Sequence, residues 1–191
     1  MATFTRGGIA VIDPKSGALL RVIALQYNPE NVSRSLQIQA VGGDGDRLEA
    51  LRLKGPPNET IKVDISIDAA DQLEFPDQHL VTRKFGIFPE LAALETLVYP
   101  TSAALIAANN SSAAGSLEIA PTESPLALFV WSRSRVVPVR ITEFNIMEEL
   151  FDNSLHPIRA KVSLGMRVLS MNDLGIQHRG TNLFMAYLAG K

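Results

Sequence analysis

The chain has 191 residues, of which 46% are hydrophobic and 20% charged, an ordinary globular composition that excludes general disorder. Its 18 basic and 20 acidic residues give a net charge of −2, which predicts neither a nucleic-acid partner nor a membrane partner. The lack of cysteine excludes disulfides, thiol catalysis and cysteine-ligated metals. No apolar stretch reaches the roughly 20 residues of a membrane-spanning helix, and we expect a cytoplasmic protein.

The first part of the chain predicts strands joined by tight turns. Residues 9–13 and 19–27 flank a Pro-Lys-Ser-Gly segment, which predicts a β-hairpin. An Asn-Pro turn at 28–31 leads into a strand over 35–39, where apolar and polar residues alternate. The alternation is clearest over 61–68, where Ile and Val occupy one face and polar residues the other.

One helix and two loops are predicted next to these strands. The segment 89–98 begins with Pro, has an acidic residue in its first turn, and places its large apolar residues on one side. These features predict a helix, which Pro100 ends. The Gly- and Asp-rich segment 42–46 predicts a loop. Residues 101–125 are rich in small side chains, and we expect a mobile insertion there.

The last part of the chain predicts three further strands. Residues 126–131 are apolar in both phases, as in a strand that is covered on both faces. Over 137–146 the apolar phase slips by one residue near Glu143, which predicts a β-bulge. A turn then leads into a long alternating strand over 158–168.

Seven to nine strands and one main helix predict a mainly β protein, a small antiparallel barrel or sandwich. Residues 1–170 would form this domain, and 171–191 an extension. The extension ends in an apolar tail that we expect to dock onto another protein and to be dispensable for folding. The candidate docking residues are Leu183, Phe184, Tyr187 and Leu188.

A search for catalytic or metal-binding residues finds no candidate site. His79, His156 and His178 are far apart in the sequence and have no partner at metal-ligand spacing. Glu148 and Glu149 would point to opposite faces of a strand and could not flank one bond. The chain has neither a phosphate-binding loop nor a nucleophile elbow. We therefore expect no enzymatic activity, no cofactor and no bound metal.

Three motifs occur in a fixed order along the chain. They are an aromatic-Asn-Pro-Glu turn, an apolar strand that ends in Trp, and a Phe-Asp turn followed by Pro-x-Arg-Ala-x-Val. Their residues are Tyr27, Asn28, Pro29, Glu30, Trp131, Phe151, Asp152 and Pro157. Over about residues 8–169 the chain thereby resembles the tube-domain family of phage-tail-like contractile injection systems. For this chain, the resemblance implies a β-barrel of the phage tail-tube type.

The resemblance implies a structural role. In that family the domain belongs to a baseplate protein that joins the spike to the inner tube. The implied partners are further copies of the chain in a homohexameric ring, a spike or hub protein, the inner tube protein and baseplate wedge proteins. Many family members continue into a LysM module, for which residues 171–191 are too few. Ser132 also stands where the family usually has Gly.

The hairpin over 144–168 is the candidate inner wall of such a ring. Its polar phase would face a neighbour or the lumen, and an ordinary exposed sheet face is the alternative interpretation. The residues of this phase are Arg159, Lys161, Ser163 and Arg167. Two other functions stay open: an inner-tube subunit that stacks on itself, and a barrel that binds a small apolar ligand at a mouth lined by Phe129 and Trp131.

Overall fold

The computed structural model describes residues 6–39, 53–100, 102–103, 105–106, 109, 124–175 and 177–191. The strands are β1 (Gly8–Ile12), β2 (Leu19–Ala24), β3 (Val32–Gln37), β4 (Asn58–Asp68), β5 (Leu126–Ser132), β6 (Arg135–Phe151) and β7 (Pro157–Val168). The helices include α1 (Ala70–Leu73), α2 (Leu80–Phe85), α3 (Phe88–Glu95) and α4 (Arg179–Ala189). The predicted loop at 42–46 and most of the predicted insertion at 101–125 lie outside the described residues.

All seven strands form one antiparallel sheet in the order β2-β1-β5-β6-β7-β4-β3. The predicted mainly β, antiparallel fold is confirmed. The sheet is not closed into a barrel, because β2 and β3 are free edges over the part of the chain that the structure describes. Two consecutive strands therefore lie at opposite edges of the sheet, an arrangement that the local sequence signals do not predict.

The side chain of Gln26 shows that the sheet is strongly curled. In a flat sheet β2 and β4 would be five strand spacings apart, about 24 Å. Yet Gln26, two residues beyond β2, donates from Nε2 to the carbonyl of Asp68 at the end of β4 (2.6 Å). It also accepts the backbone N–H of Asp68 (2.9 Å). The first and sixth strands of the sheet therefore approach each other at this point.

The concave side of the curled sheet holds the main hydrophobic core. The inward phases of β4 and β7 are buried, as their alternation predicts, and helix α3 adds Leu91 and Leu94. The hydrophobic core residues of β4 and β7 are Ile61, Val63, Ile65, Ile67, Ala160, Val162, Leu164, Met166 and Val168. A smaller cluster on the other face of β5 contains Leu126 and Leu128, so that β5 is covered on both sides.

The predicted bulge near Glu143 is confirmed. The pairing of β6 with β7 shifts register between Ile141 and Glu143. Val139 is buried before the shift, and Phe144 packs against the core after it. The extra residue thus keeps both halves of a 17-residue strand facing the same core.

The predicted apolar tail is helix α4, and it is part of the fold. Phe184 and Tyr187 are only 5% and 6% exposed and belong to the main core. The helix begins after His178, whose Nδ1 accepts the backbone N–H of Gly180 (3.0 Å). Phe184 and Tyr187 supply core contacts to the sheet, which disagrees with the expectation that this segment is separable from the fold. Leu183 is half-buried and Leu188 is exposed.

Candidate functional site

The four residues predicted for an assembly surface lie together on the outer face of β7. Strand alternation places them opposite the buried phase of the same strand. Each donates a hydrogen bond to an acidic side chain of its own chain. The pairs are Arg159 Nε with Asp68 Oδ2 (2.7 Å), Lys161 Nζ with Glu149 Oε1 (2.9 Å), Ser163 Oγ with Asp64 Oδ1 (2.6 Å), and Arg167 with Asp173.

A glycine lets one more ion pair cross the face. Lys62 on β4 and Glu143 on β6 both lie opposite Gly165 of the intervening strand β7. Because Gly165 has no side chain, Lys62 Nζ reaches Glu143 Oε2 directly over it (2.7 Å). A Cβ at position 165 would lie 2.7 Å from the Cβ of Glu143. We define the residues of these five pairs as the polar ladder.

The polar ladder is nearly neutral. Its four basic side chains are each paired with a carboxylate, and Asp64 adds one further acid. A backbone N–H from Ala70 and the guanidinium of Arg159 together hold the pKa of Asp68 below its ordinary value. Exposed ion pairs of this kind contribute little stability, about 0–1 kcal/mol each. The ladder is therefore a hydrated, nearly neutral face and not a concentrated patch of one charge.

The turn between β6 and β7 is organised by Asp152, one of the motif residues. Its Oδ1 accepts the backbone N–H groups of Ser154 (2.7 Å) and His156 (2.8 Å). The His156 N–H lowers the pKa of the Asp152 carboxyl the most. The motif residue Pro157 is buried, and its carbonyl accepts the N–H of Ile87 at the start of α3 (2.9 Å). These motif residues therefore fix where the hairpin meets the helices.

The same turn leaves apolar side chains in solvent. Leu150 and Leu155 both have positive φ angles, and both are exposed together with the motif residue Phe151. Non-glycine residues adopt positive φ at an energetic cost. The hairpin tip is thus strained backbone that carries exposed apolar groups.

The aromatic-Asn-Pro-Glu turn connects the two halves of the curled sheet. The Asn28 Oδ1 atom accepts the backbone N–H of Gly7 (2.8 Å). The Tyr27 hydroxyl lies 3.3 Å from Asp71 Oδ2 in α1. Pro29 is half-buried and Glu30 is exposed. The turn therefore has a structural part in bringing β2 close to the end of β4.

The free edge strand β2 is the surface feature that sequence reasoning missed. Leu19, Leu20 and Val22 are more than half exposed. The N–H of Leu25 points to β1, where it bonds the Gly7 carbonyl (2.9 Å). Since N–H directions alternate along an antiparallel strand, the N–H of Val22 points away from β1. Over the described part of the chain, the edge therefore offers unpaired donors beside apolar side chains. The lack of polar residues over 19–20 and 22–24 is the sequence signal that could have identified it.

Phe129 and Trp131 do not form an open ligand-binding mouth. Phe129 is almost completely buried in the main core. Trp131 is half-buried and stacks on it with a centroid distance of 5.9 Å. Core packing therefore accounts for this pair.

A scan against protein-family models finds no family that matches the chain. A search of curated proteins finds no matching relative. Within the described ranges, no helix is long and apolar enough to cross a membrane. The same part of the chain has no group of three His, Cys, Asp or Glu side chains that could hold a metal ion.

Proposed function

We propose that this chain is a structural, non-enzymatic component of a contractile-injection-system baseplate. In this role it forms a homohexameric ring that adapts a spike or hub protein to the inner tube and starts tube assembly. The observation that carries the proposal is the open sheet, which leaves β2 and β3 as free edges over the described residues. The motif resemblance over residues 8–169 supports the assignment of this ring to a contractile injection system.

The two edges are suited to pairing between copies. The strands β2 and β3 each have six residues, and among the residues that the structure describes each presents one unpaired side. Pairing the β2 edge of one copy with the β3 edge of the next would satisfy the backbone groups of both. Because the contact is head-to-tail, a suitable rotation between copies closes it into a ring.

The polar ladder supports a lumen-facing position. Its charged groups already have partners within the chain, so that they need none from a neighbouring copy. A hydrated face with balanced charge suits the wall of a channel, and burying it against a protein would cost the desolvation of several ion pairs. In this arrangement the edges make the contacts between copies and the ladder lines the ring.

The test is an edge variant that blocks pairing and leaves the monomer folded. Proline at position 22 removes an N–H that points away from β1, which an edge strand tolerates. We expect light scattering and electron microscopy to show rings for the wild type and monomers for Val22→Pro. Val22→Thr, which retains the N–H, is the matched control and should form rings.

Two results would contradict the proposal. One is a wild-type protein that stays monomeric at high concentration. The other is a Val22→Pro variant that assembles as the wild type does. Long filaments in place of rings would identify an inner-tube subunit.

A further inference from the structure

Glu59, near the start of β4, is a buried carboxylate that is only 3% exposed. It accepts hydrogen bonds from three places in the chain. The donors are Arg34 Nε of β3 (2.7 Å), the Tyr187 hydroxyl of α4 (3.0 Å) and Lys191 Nζ (3.1 Å). A carboxylate this deeply buried is strongly unfavourable without such partners.

The donors to Glu59 also contact one another. Arg34 Nη2 donates to the Tyr187 hydroxyl (3.0 Å). The Lys191 ammonium lies 4.4 Å from the centroid of the Tyr187 ring, at the distance of a cation–π contact. The cluster thus joins the edge strand β3 to the last turn of α4, although Arg34 and Tyr187 are 153 positions apart in the sequence.

The Glu59 cluster contributes more to holding the edge strand β3 in place than it would for an interior strand. Within the described ranges, backbone pairing holds β3 on one side only, through β4. Four of its six residues are exposed, and Val32 and Arg34 are half-buried. A side-chain anchor at Arg34 therefore adds to the β4 pairing that keeps this strand in place.

We propose that α4 is a latch on the free edge strand β3. With the latch closed, Tyr187 and Lys191 share the charge of Glu59 with Arg34 and fix Arg34 in position. When the last turn of α4 lifts, Arg34 alone faces the Glu59 carboxylate, and β3 opens locally. Because coupling between two sites is reciprocal, a partner strand that pairs with β3 would also hold α4 closed. Only this last consequence rests on the proposed ring.

Hydrogen exchange on the monomer tests the latch. Tyr187→Phe removes one hydroxyl and keeps the aromatic ring in the core, and Lys191→Met removes the charge and keeps an apolar stem. In either variant we expect the β3 amides to exchange about tenfold faster under conditions that report the opening equilibrium. The amides of β2, the opposite edge, serve as the internal reference and should change much less. Tyr99→Phe, at an exposed tyrosine, is the matched control.

A double-mutant cycle separates a latch from general stabilisation. Arg34→Met and Tyr187→Phe, measured by denaturant unfolding singly and together, should be non-additive because both act on Glu59. The latch is overturned if β3 exchange rises no more than β2 exchange in Tyr187→Phe. Additive effects of the two substitutions would overturn it as well.

Discussion

The charge of Glu59 makes the stability of this protein depend on pH in a defined direction. Burial raises the pKa of Glu59, but hydrogen bonds from Arg34, Lys191 and Tyr187 lower it by more. The folded-state pKa is therefore below the ordinary value of 4.5. Unfolding removes the three donors and returns the carboxyl to its ordinary value. The ionised carboxylate thus contributes stability above that value, and the contribution is lost as the pH falls through the folded-state pKa.

We expect Glu59→Gln to lower the free energy of unfolding near neutral pH, and to lower it less as the pH falls below 4.5. Urea unfolding of both proteins across this range measures the difference, and Glu148→Gln, at an exposed carboxylate, is the control. A difference that stays constant down to about pH 3 would show that the cluster does not depend on the ionised carboxylate.

At the scale of elements, Gly86 determines how the helices meet the long hairpin. It follows α2 with φ of 60° and ψ of −137°, a conformation that side chains oppose. A Cβ there would lie 2.1 Å from the carbonyl oxygen of Pro157. The next residue, Ile87, donates its N–H to that same oxygen. The junction of α2 with α3 can therefore approach β7 only through a glycine.

Gly86→Ala should lower the free energy of unfolding by about 2–4 kcal/mol, because it combines backbone strain with a clash against backbone. Gly175→Ala is the matched control, since no atom of the described residues, apart from Gly175 and its chain neighbours, lies within 4 Å of the added Cβ. Its effect should stay within about 0.5 kcal/mol. Equal effects of the two substitutions in chemical denaturation would contradict this account of Gly86.

Elements with a strong local period could be predicted from the sequence, and the others could not. The alternation of apolar and polar residues in β4 and β7 predicts which face of each strand is buried. The one-residue shift of the apolar phase near Glu143 predicts the bulge. The short helices α1 and α2 have only four and six residues, too few for a period to show. For α4 the spacing of Phe184 and Tyr187 is a usable signal, but the segment follows the last predicted strand and its apolar residues were assigned to docking.

The candidate site shows the same division. The four outward residues of β7 follow from strand alternation alone. Their partners do not, because Asp68, Glu149 and Asp64 meet β7 only through the register of two neighbouring strands. The free edges likewise depend on the order of the whole sheet. Long-range pairing, which the local pattern does not encode, therefore accounts for what the sequence analysis missed.

At the scale of the whole molecule, α4 completes the core, and removing it should unfold the chain. Deleting residues 179–191 takes Phe184 and Tyr187 out of the main cluster. Loss of one large buried side chain costs about 3–5 kcal/mol, against a typical total stability of about 5–15 kcal/mol. We expect the truncated chain to lose its cooperative thermal transition, while Leu188→Ala, at an exposed position, retains it. A cooperative transition near the wild-type temperature would contradict a core role for α4.

The pairing of β1 with β5 has a consequence for synthesis on the ribosome. Ile9 lies opposite Phe129, so that 120 positions separate the two partners. At a translation rate of about 5–20 residues per second, the N-terminal hairpin waits about 6–24 s for the strand that covers it. Throughout this interval Ile9 and its neighbours are accessible to chaperones and to other nascent chains. The yield of native protein should therefore depend on how fast the ribosome traverses the intervening codons.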